Sequence, residues 1–513
     1  MIKDRKGMRT NLLASVAMGM IAVASVGGGL MPAAEAQGFS SFSASGTVLD
    51  SSGRPIPKAR VTIRSVDQGF TRTVTTNDNG VYGIPELRQG NYQFTVDADG
   101  YDTYVETNIR LAPGSASNQF RLAKAGSSDT AGTDIVVTSK RIATADFDMT
   151  TTGQVINVAD VAARLPVARD LTSVLLLAPG TASGSGAFGG LASINGGAVS
   201  ENAFFVNGLN ITDFRKGLSP AGVPFDFYQT IEVKSGGYAA EFGRSTGGFT
   251  SATTKSGSNE FHGGLLFSWN PDELRSRTHD TFYSDNDGGR IESRSTTFQL
   301  SGPIIKDHLF FYGLYQARND TSVTASRQFL GDPRTADVND PNKYLGTSRT
   351  YFGTSSPFYG GKIDAVIVNG QRLEFTYWST TGDQFFNTYG SAAPGYGRYN
   401  YLTNKDGPYA GRTLASYGGK NYVGRYTGVF SKWLTVSAAY GRNENNYFSQ
   451  SFNESNANAP SVSDARNPLA VVPLTRSSGG RSDNNDVRKF YRGDADIYFN
   501  LLGSHHFKGG YDR

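Results

Sequence analysis

Three hydrophobic patterns follow one another along this chain. Between residues 40 and 123 the period is two. Ala59, Val61, Ile63 and Ser65 alternate with Arg60, Thr62 and Arg64, and Tyr92, Phe94, Val96 and Ala98 alternate with Gln93, Thr95, Asp97 and Asp99. Alternation buries one face of a strand and wets the other. The turn clusters Asp50-Ser51-Ser52-Gly53, Asn77-Asp78-Asn79-Gly80 and Gln89-Gly90-Asn91 separate short strands, which predicts a small β-sandwich. Further on, Val158–Leu165 and Ala168–Ala178 predict two short helices, stopped at Pro166 and at Pro179-Gly180. Gly-rich, strand-like sequence follows. From residue 257 the period of two returns with larger side chains: Phe261, Gly263, Leu265, Phe267 and Trp269 share a face. So do Leu373, Phe375 and Tyr377, then Leu434, Val436, Ala438 and Tyr440, then Tyr491, Gly493, Ala495, Ile497 and Phe499.

A soluble sandwich and a membrane barrel both produce that alternation, and turn spacing separates them. Tight turns fall near Lys306-Asp307, Asn369-Gly370, Ser431-Lys432 and Gly503-Ser504; Asn-Gly is a favoured hairpin pair. Between them lie long polar stretches near 270–292, 320–356, 381–418 and 449–487. Short turns at one end and long loops at the other are the pattern of an outer-membrane barrel. A sandwich seldom carries such loops.

Composition agrees. Hydrophobic residues are 38% of the chain, low for a helical membrane protein, while 62 Gly, 32 Phe and 26 Tyr suit a turn-rich β chain with aromatic girdles. The absence of Cys excludes a disulfide scaffold, a thiolate metal site and cysteine catalysis. A net charge of +4, with scattered basic residues, argues against nucleic-acid binding. Lys3, Arg5, Lys6 and Arg9 precede the uncharged run Leu12–Val26, and Ala34-Glu35-Ala36 before Gln37 is a small-x-small cleavage site. Residues 1–36 therefore predict a Sec signal peptide, with cleavage marked by Ala34, Ala36 and Gln37. The alternative, a retained membrane helix, is disfavoured because the uncharged run is short of the ~20 residues a span needs. Removal of residues 1–36 takes away four basic and two acidic residues, so the charge becomes 4 − 4 + 2 = +2.

Two enzyme-like motifs do not survive inspection. Gly184–Gly189 satisfies G-x-G-x-x-G, but FGGLASINGG continues without the helix a dinucleotide site requires. Gly243–Gly247 satisfies G-x-S-x-G, but no strand–turn–helix surrounds it and no histidine partner suggests itself. None of the five His begins a zinc-peptidase arrangement. The reading is of a non-enzyme with no cofactor and no metal.

SGTVLDSSGRPIPKARVTI and TNDNGVYGIPELRQGNYQFTVDADGY resemble the carboxypeptidase regulatory-like domain, a non-catalytic sandwich module. The polar stretch KAGSSDTAGT (124–133) is a flexible tether. Asp134, Ile135, Val136, Val137 and Thr138 then form an extended segment without an obvious partner strand: either a strand to be added to another protein's sheet edge, or the first strand of the next domain. DIVVTSKR is similar to the TonB box of TonB-dependent outer-membrane receptors. INGGAVSENAFFVNGLNITDF and FYQTIEVKSGGYAAEFGRSTGGFTSATTKSGSNEFHG resemble the plug and plug–barrel junction of Oar-like members, and GPIIKDHLFFYGLYQAR an early barrel hairpin.

The expected fold is thus mainly β. A signal peptide (1–36) precedes an N-terminal β-sandwich (40–123), a linker with the TonB box (124–144), an α+β plug (145–256) and an incomplete antiparallel transmembrane β-barrel (257–513). About nine strands fit the last segment, whereas plugged barrels of this kind have about 22, so ~13 more strands and ~360 more residues are expected beyond it. The resemblance implies a receptor in the bacterial outer membrane, embedded in its lipid, that takes up a scarce extracellular ligand. TonB would energise it by strand addition at Asp134–Thr138. The ligand would meet the plug apex near Asp213, Phe214 and Arg215. A surface adhesion or secretion-linked role is the alternative, but an adhesin has no need of a TonB box. Phe352, Phe358, Tyr389 and Tyr396 are expected as girdle residues rather than ligand-stacking ones, and His505-His506 as a solvated turn.

Overall fold

The computed structural model describes residues 42–111, 118–125, 135–136, 152–164, 170–185, 191–213, 222–238, 245–276, 279, 286, 289–329, 344–389, 409–431, 433–452, 481–500 and 504–513. The signal segment, Asp134, Val137, Thr138, Phe214, Arg215 and Tyr396 lie outside the described residues.

The N-terminal unit is built from β1 (Phe42–Asp50), β2 (Arg60–Ser65), β3 (Thr71–Thr75), β4 (Val81–Leu87), β5 (Gly90–Asp97), β6 (Tyr104–Leu111) and β7 (Asn118–Leu122). One sheet has the order β4-β1-β7 and the other β3-β2-β5-β6. Burial alternates residue by residue along β1. The inward residues Val48, Val61, Ile63, Ile84, Phe94 and Phe120 are fully buried. Phe120 anchors the core, with Phe94 at 5.2 Å, Tyr104 at 5.5 Å and Tyr82 at 5.9 Å between ring centroids.

The β1 turn is closed by Asp50, whose carboxylate accepts from Ser52 Oγ (2.7 Å) and from Ser52 N and Arg54 N (both 2.9 Å). The hydroxyl of Ser52 and the backbone N–H of Arg54 hold this carboxyl well below its ordinary range. A depressed folded pKa stabilises the fold above the unfolded value, and that contribution is lost as pH falls through the folded one. Asp50→Asn is therefore expected to lower the melting temperature of a 42–125 fragment at pH 7. The gap to wild type should narrow steadily below about pH 4; a gap independent of pH would contradict this.

The next unit has β9 (Thr152–Asn157), α1 (Val158–Arg164), α2 (Leu171–Leu175), β10 (Thr181–Ser183), β11 (Ala192–Ile194), β12 (Ala203–Val206), β13 (Leu209–Asn210), β14 (Tyr228–Gly236) and β15 (Phe249–Thr254). Its main sheet runs β13-β12-β15-β14-β9, with β12 and β15 parallel. The second helix is shorter than the expected 168–178. Asp170 caps it by accepting from Ser173 N at 2.9 Å, and after Leu175 the chain turns toward Gly180 at φ +76°. Asn207 and Gly208 join β12 to β13 with φ +47° and +84°, the sign pattern of a type I′ hairpin.

The large sheet contains β16 (His262–Asn270), β17 (Arg290–Ile305), β18 (Leu309–Phe329), β19 (Tyr344–Ser355), β20 (Phe358–Val368), β21 (Gln371–Ser379), β22 (Gly382–Tyr389), β23 (Tyr409–Gly418), β24 (Lys420–Ser431), β25 (Leu434–Phe452), β26 (Arg481–Asn500) and β27 (Ser504–Asp512). β19 and β20 are two halves of one long strand interrupted at 356–357. The same holds for β21 with β22 and for β23 with β24. Lower β18 pairs with β20 and upper β18 with β19, while lower β25 pairs with β24 and upper β25 with β23. The described sheet is thus an antiparallel meander of nine long strands, edged by β16 and β27.

Much of the polar sequence expected as long loops is in fact paired strand: β18 reaches Phe329, and β19, β22, β23 and upper β25 extend the wall beyond the lipid-facing zone. Past the lipid neither face need be apolar, so the alternation fades although backbone pairing continues. Within the lower zone Leu265 (75% exposed), Phe267, Phe298, Ile363, Phe375 and Ile497 point out of the curved sheet, while Lys362, Asp364, Glu374, Thr376 and Asp496 are buried on the inner side. An outward apolar belt on this scale needs lipid to cover it.

Candidate functional site

The inner wall and the plug-like unit share one core. Phe227, fully buried beside β14, packs edge-on against Phe358 of β20 at 5.1 Å and near Tyr312 of β18 at 6.0 Å and Trp378 of β21 at 6.4 Å. A Cβ on Gly360 would lie 2.8 Å from the Phe227 ring, so only glycine lets the ring rest on the wall. Phe358 is therefore not a girdle residue. It is 2% exposed and points inward, because β20 begins at it and the register sets its side chain on the same face as Lys362 and Asp364. Phe352 instead packs on Phe386 at 4.9 Å and Tyr389 on Tyr351 at 5.5 Å, both in the upper extension. His505 is exposed and stacks on Phe499 at 5.2 Å.

Polar bonds fix the same seam. Asn207 Nδ2 donates to Thr254 Oγ1 (2.7 Å) and to Thr376 Oγ1 (2.9 Å) on the wall. Arg488 Nη1 donates to Asn210 Oδ1 at 2.6 Å, and Asn445 Nδ2 to Asp213 Oδ2 at 2.8 Å. Asp213 thus lies where the β13 loop meets β25, part-buried. Burial alone pushes the Tyr228 phenol far above its ordinary range, so it stays neutral inside the plug-like unit.

Ile135 and Val136 do have a partner strand in the chain. They form β8 (Ile135–Val136), which joins the free edge of β6 in parallel, Ile135 opposite Tyr104 and Val136 opposite Val105. A sequence reading cannot see this, because two β-branched residues fit any open edge and the edge itself exists only once β5 and β6 have paired.

The sandwich in turn contacts the short-turn rim of the large sheet. Gln68 Nε2 donates to Gly257 O (3.1 Å), Arg372 Nη2 donates to Gln68 Oε1 (2.7 Å), and Asn259 N donates to Asp67 O (2.9 Å). Arg88 forms an ion pair with Glu374. Its backbone is held by Tyr92, whose hydroxyl donates to Arg88 O at 2.6 Å and is pushed up to about 12 by burial, so it remains a donor at any physiological pH. Sequence inspection passed over Gln68, Arg88 and Glu374. The available signal was the charges Lys362, Asp364, Arg372 and Glu374 alternating with apolar residues in two neighbouring strands.

The serine of the G-x-S-x-G stretch is accounted for structurally. Ser245 is engaged by the backbone carbonyls of Glu201 (2.8 Å) and Gly248 (3.0 Å). Among the described residues no cluster of three metal-ligating side chains occurs.

Residues 43–150 match the carboxypeptidase regulatory-like domain family and residues 145–249 the TonB-dependent receptor plug domain family. The chain is similar to TonB-dependent receptors in its plug and in its regulatory-like domain. Over 359 residues it is 29% identical to the TonB-dependent transporter Oar of Myxococcus xanthus, a match covering 64% of this chain and 32% of that protein. The chain spans about a third of the length of that curated relative. Solved structures with similar parts include the siderophore receptor PirA of Acinetobacter baumannii (15% identity, 70% of this chain and 47% of that one, TM-score 0.40). The ferric enterobactin receptor of Pseudomonas aeruginosa is another (16% identity, 70% and 48%, TM-score 0.44). The regulatory-like match reaches residue 150, past β8, so β8 falls within the stretch matched to that family.

Proposed function

We propose that this receptor imports a scarce extracellular ligand across the outer membrane, with TonB seizing the Asp134–Thr138 segment by strand addition. The supporting observation is the shared core between plug and wall. A plug whose Phe227 is locked among Phe358, Tyr312 and Trp378 blocks passage at rest, so import needs work done on it from outside the domain. A β-branched strand on a tether is a suitable handle, since backbone pairing gives grip without demanding a particular surface. Because β8 pairs with β6 at rest, TonB must displace that pairing. The signal at residues 1–36 would export the chain through the Sec pathway, and Asp213, Phe214 and Arg215 would meet the ligand at the plug apex. An adhesin has no use for the handle, which favours transport over a purely adhesive role.

Deleting residues 134–138 from the whole receptor is expected to weaken capture by the soluble C-terminal domain of TonB at least ~100-fold, the loss of a recognition strand's backbone bonds. Assembly into outer membranes should be unchanged. Undiminished capture by the deletion variant would sink the assignment of this segment.

A further inference from the structure

The rim contacts of the sandwich are more than incidental touching. Arg88 and Glu374 are both largely withdrawn from solvent, with side chains 13% and 7% exposed. Glu374 also accepts from Arg372 Nε at 3.1 Å, and Arg372 Nη2 lies 3.4 Å from Asp364 Oδ1. Lys362 Nζ is 3.5 Å from Asp364 and donates to Ser256 Oγ, at the plug–wall junction, at 2.8 Å. The wall by itself holds two cations, Lys362 and Arg372, against two carboxylates, Asp364 and Glu374. Arg88 enters as a third cation carried by another domain, so the wall is neutral without it. Its departure leaves no unpaired charge behind, which is what a reversible contact requires. Beside Phe70, Arg72 and Arg88 the seam leaves a cavity of about 30 Å³, and a wider one of about 300 Å³ opens between Arg110, Asn157, Lys255 and Tyr312. Arg110 extends the same contact to the plug, 3.5 Å from Asp160 of α1.

We propose that the N-terminal sandwich is a latched cover on the periplasmic rim of this receptor. Arg88 on Glu374 and Gln68 between Arg372 and Gly257 form the latch, and its release comes before the plug moves. The proposal rests on the transport reading only for the source of the release, the pull on β8. That strand follows the cover directly in the chain, so once TonB holds it a load on it reaches the latch through residues 124–134 as well as the plug.

These 513 residues hold no cysteine, so an introduced pair is the one cysteine pair among them. A Cβ built on Gly69 lies 3.3 Å from Asp307 Cβ across the seam, close to disulfide spacing. In whole receptor in outer membranes, Gly69→Cys with Asp307→Cys is expected to cross-link in most molecules under mild oxidant. Adding Arg88→Glu should cut that yield several-fold, and adding Glu374→Arg to that variant should restore it. An energised membrane with TonB should lower the yield relative to uncoupled cells. No cross-link at rest, or a yield indifferent to Arg88→Glu, overturns the cover.

Gly69 sits at φ +75°, where cysteine is strained, so a single Thr427→Cys variant, on the wall beside the seam cavity and outside the latch, provides the independent reading. Slow maleimide labelling at rest and fast labelling with Arg88→Glu are expected; fast labelling in both overturns the proposal. TonB capture, measured separately on the cross-linked receptor, should persist. Its loss in the 134–138 deletion bears on the transport reading alone, so the two can fail independently.

Discussion

Phe227→Ala is expected to loosen the plug more than any other single truncation in this chain. The ring belongs to the plug-like unit and its partners Phe358, Tyr312 and Trp378 to the wall, so two domains would have to close on a vacated site together. Removing a buried Phe costs about 3–5 kcal/mol. At about tenfold per 1.4 kcal/mol, that lowers amide-exchange protection in β14 and β15 by about two to three orders of magnitude. The whole receptor in planar bilayers should then show ion leakage that wild type lacks. Phe298→Ala, on an outward ring half exposed at rest, serves as the control and should change neither. Protection that stays at the wild-type level in Phe227→Ala would show that plug and wall do not share a core.

The second large effect concerns the lipid belt. Phe375 lies on the outer face of β21, flanked by the buried inward residues Glu374 and Thr376. An arginine placed near the bilayer midplane costs about 2–4 kcal/mol, and less toward either interface. Phe375→Arg is therefore expected to reduce strongly the fraction of receptor that runs as a heat-modifiable, folded species from outer membranes. Phe375→Leu should assemble normally, because it keeps the apolar face. Equal assembly of both variants would place this face away from lipid.

The alternation in β2, β5, β16, β21 and β26 was legible residue by residue, because each strand buries one face and shows the other to something different: water for the sandwich, lipid for the large sheet. The tight turns at Asp307 and Asn369-Gly370 were equally legible, since a hairpin leaves its mark in two or three residues. The strand halves β19, β22 and β23 were not. Beyond the lipid no face is required to be apolar, and polar strands read as loops. Phe358 was misread because its neighbours in sequence do not reveal that Phe227, more than a hundred residues earlier, stands opposite.

By itself the sequence determined the fold class of this protein: a sandwich, a plug-like unit and a dyad-patterned wall, each carried by local periodicity and by motifs that resemble TonB-dependent receptors. Only the tertiary structure decided what holds the parts together. The parallel seat of β8 on β6, the Phe227 core, the Asn207 bridge to Thr376 and the Arg88–Glu374 pair each join residues far apart in the chain. Local patterning records whether a position is buried. It does not record which distant residue buries it, because that depends on how the finished sheets and domains meet.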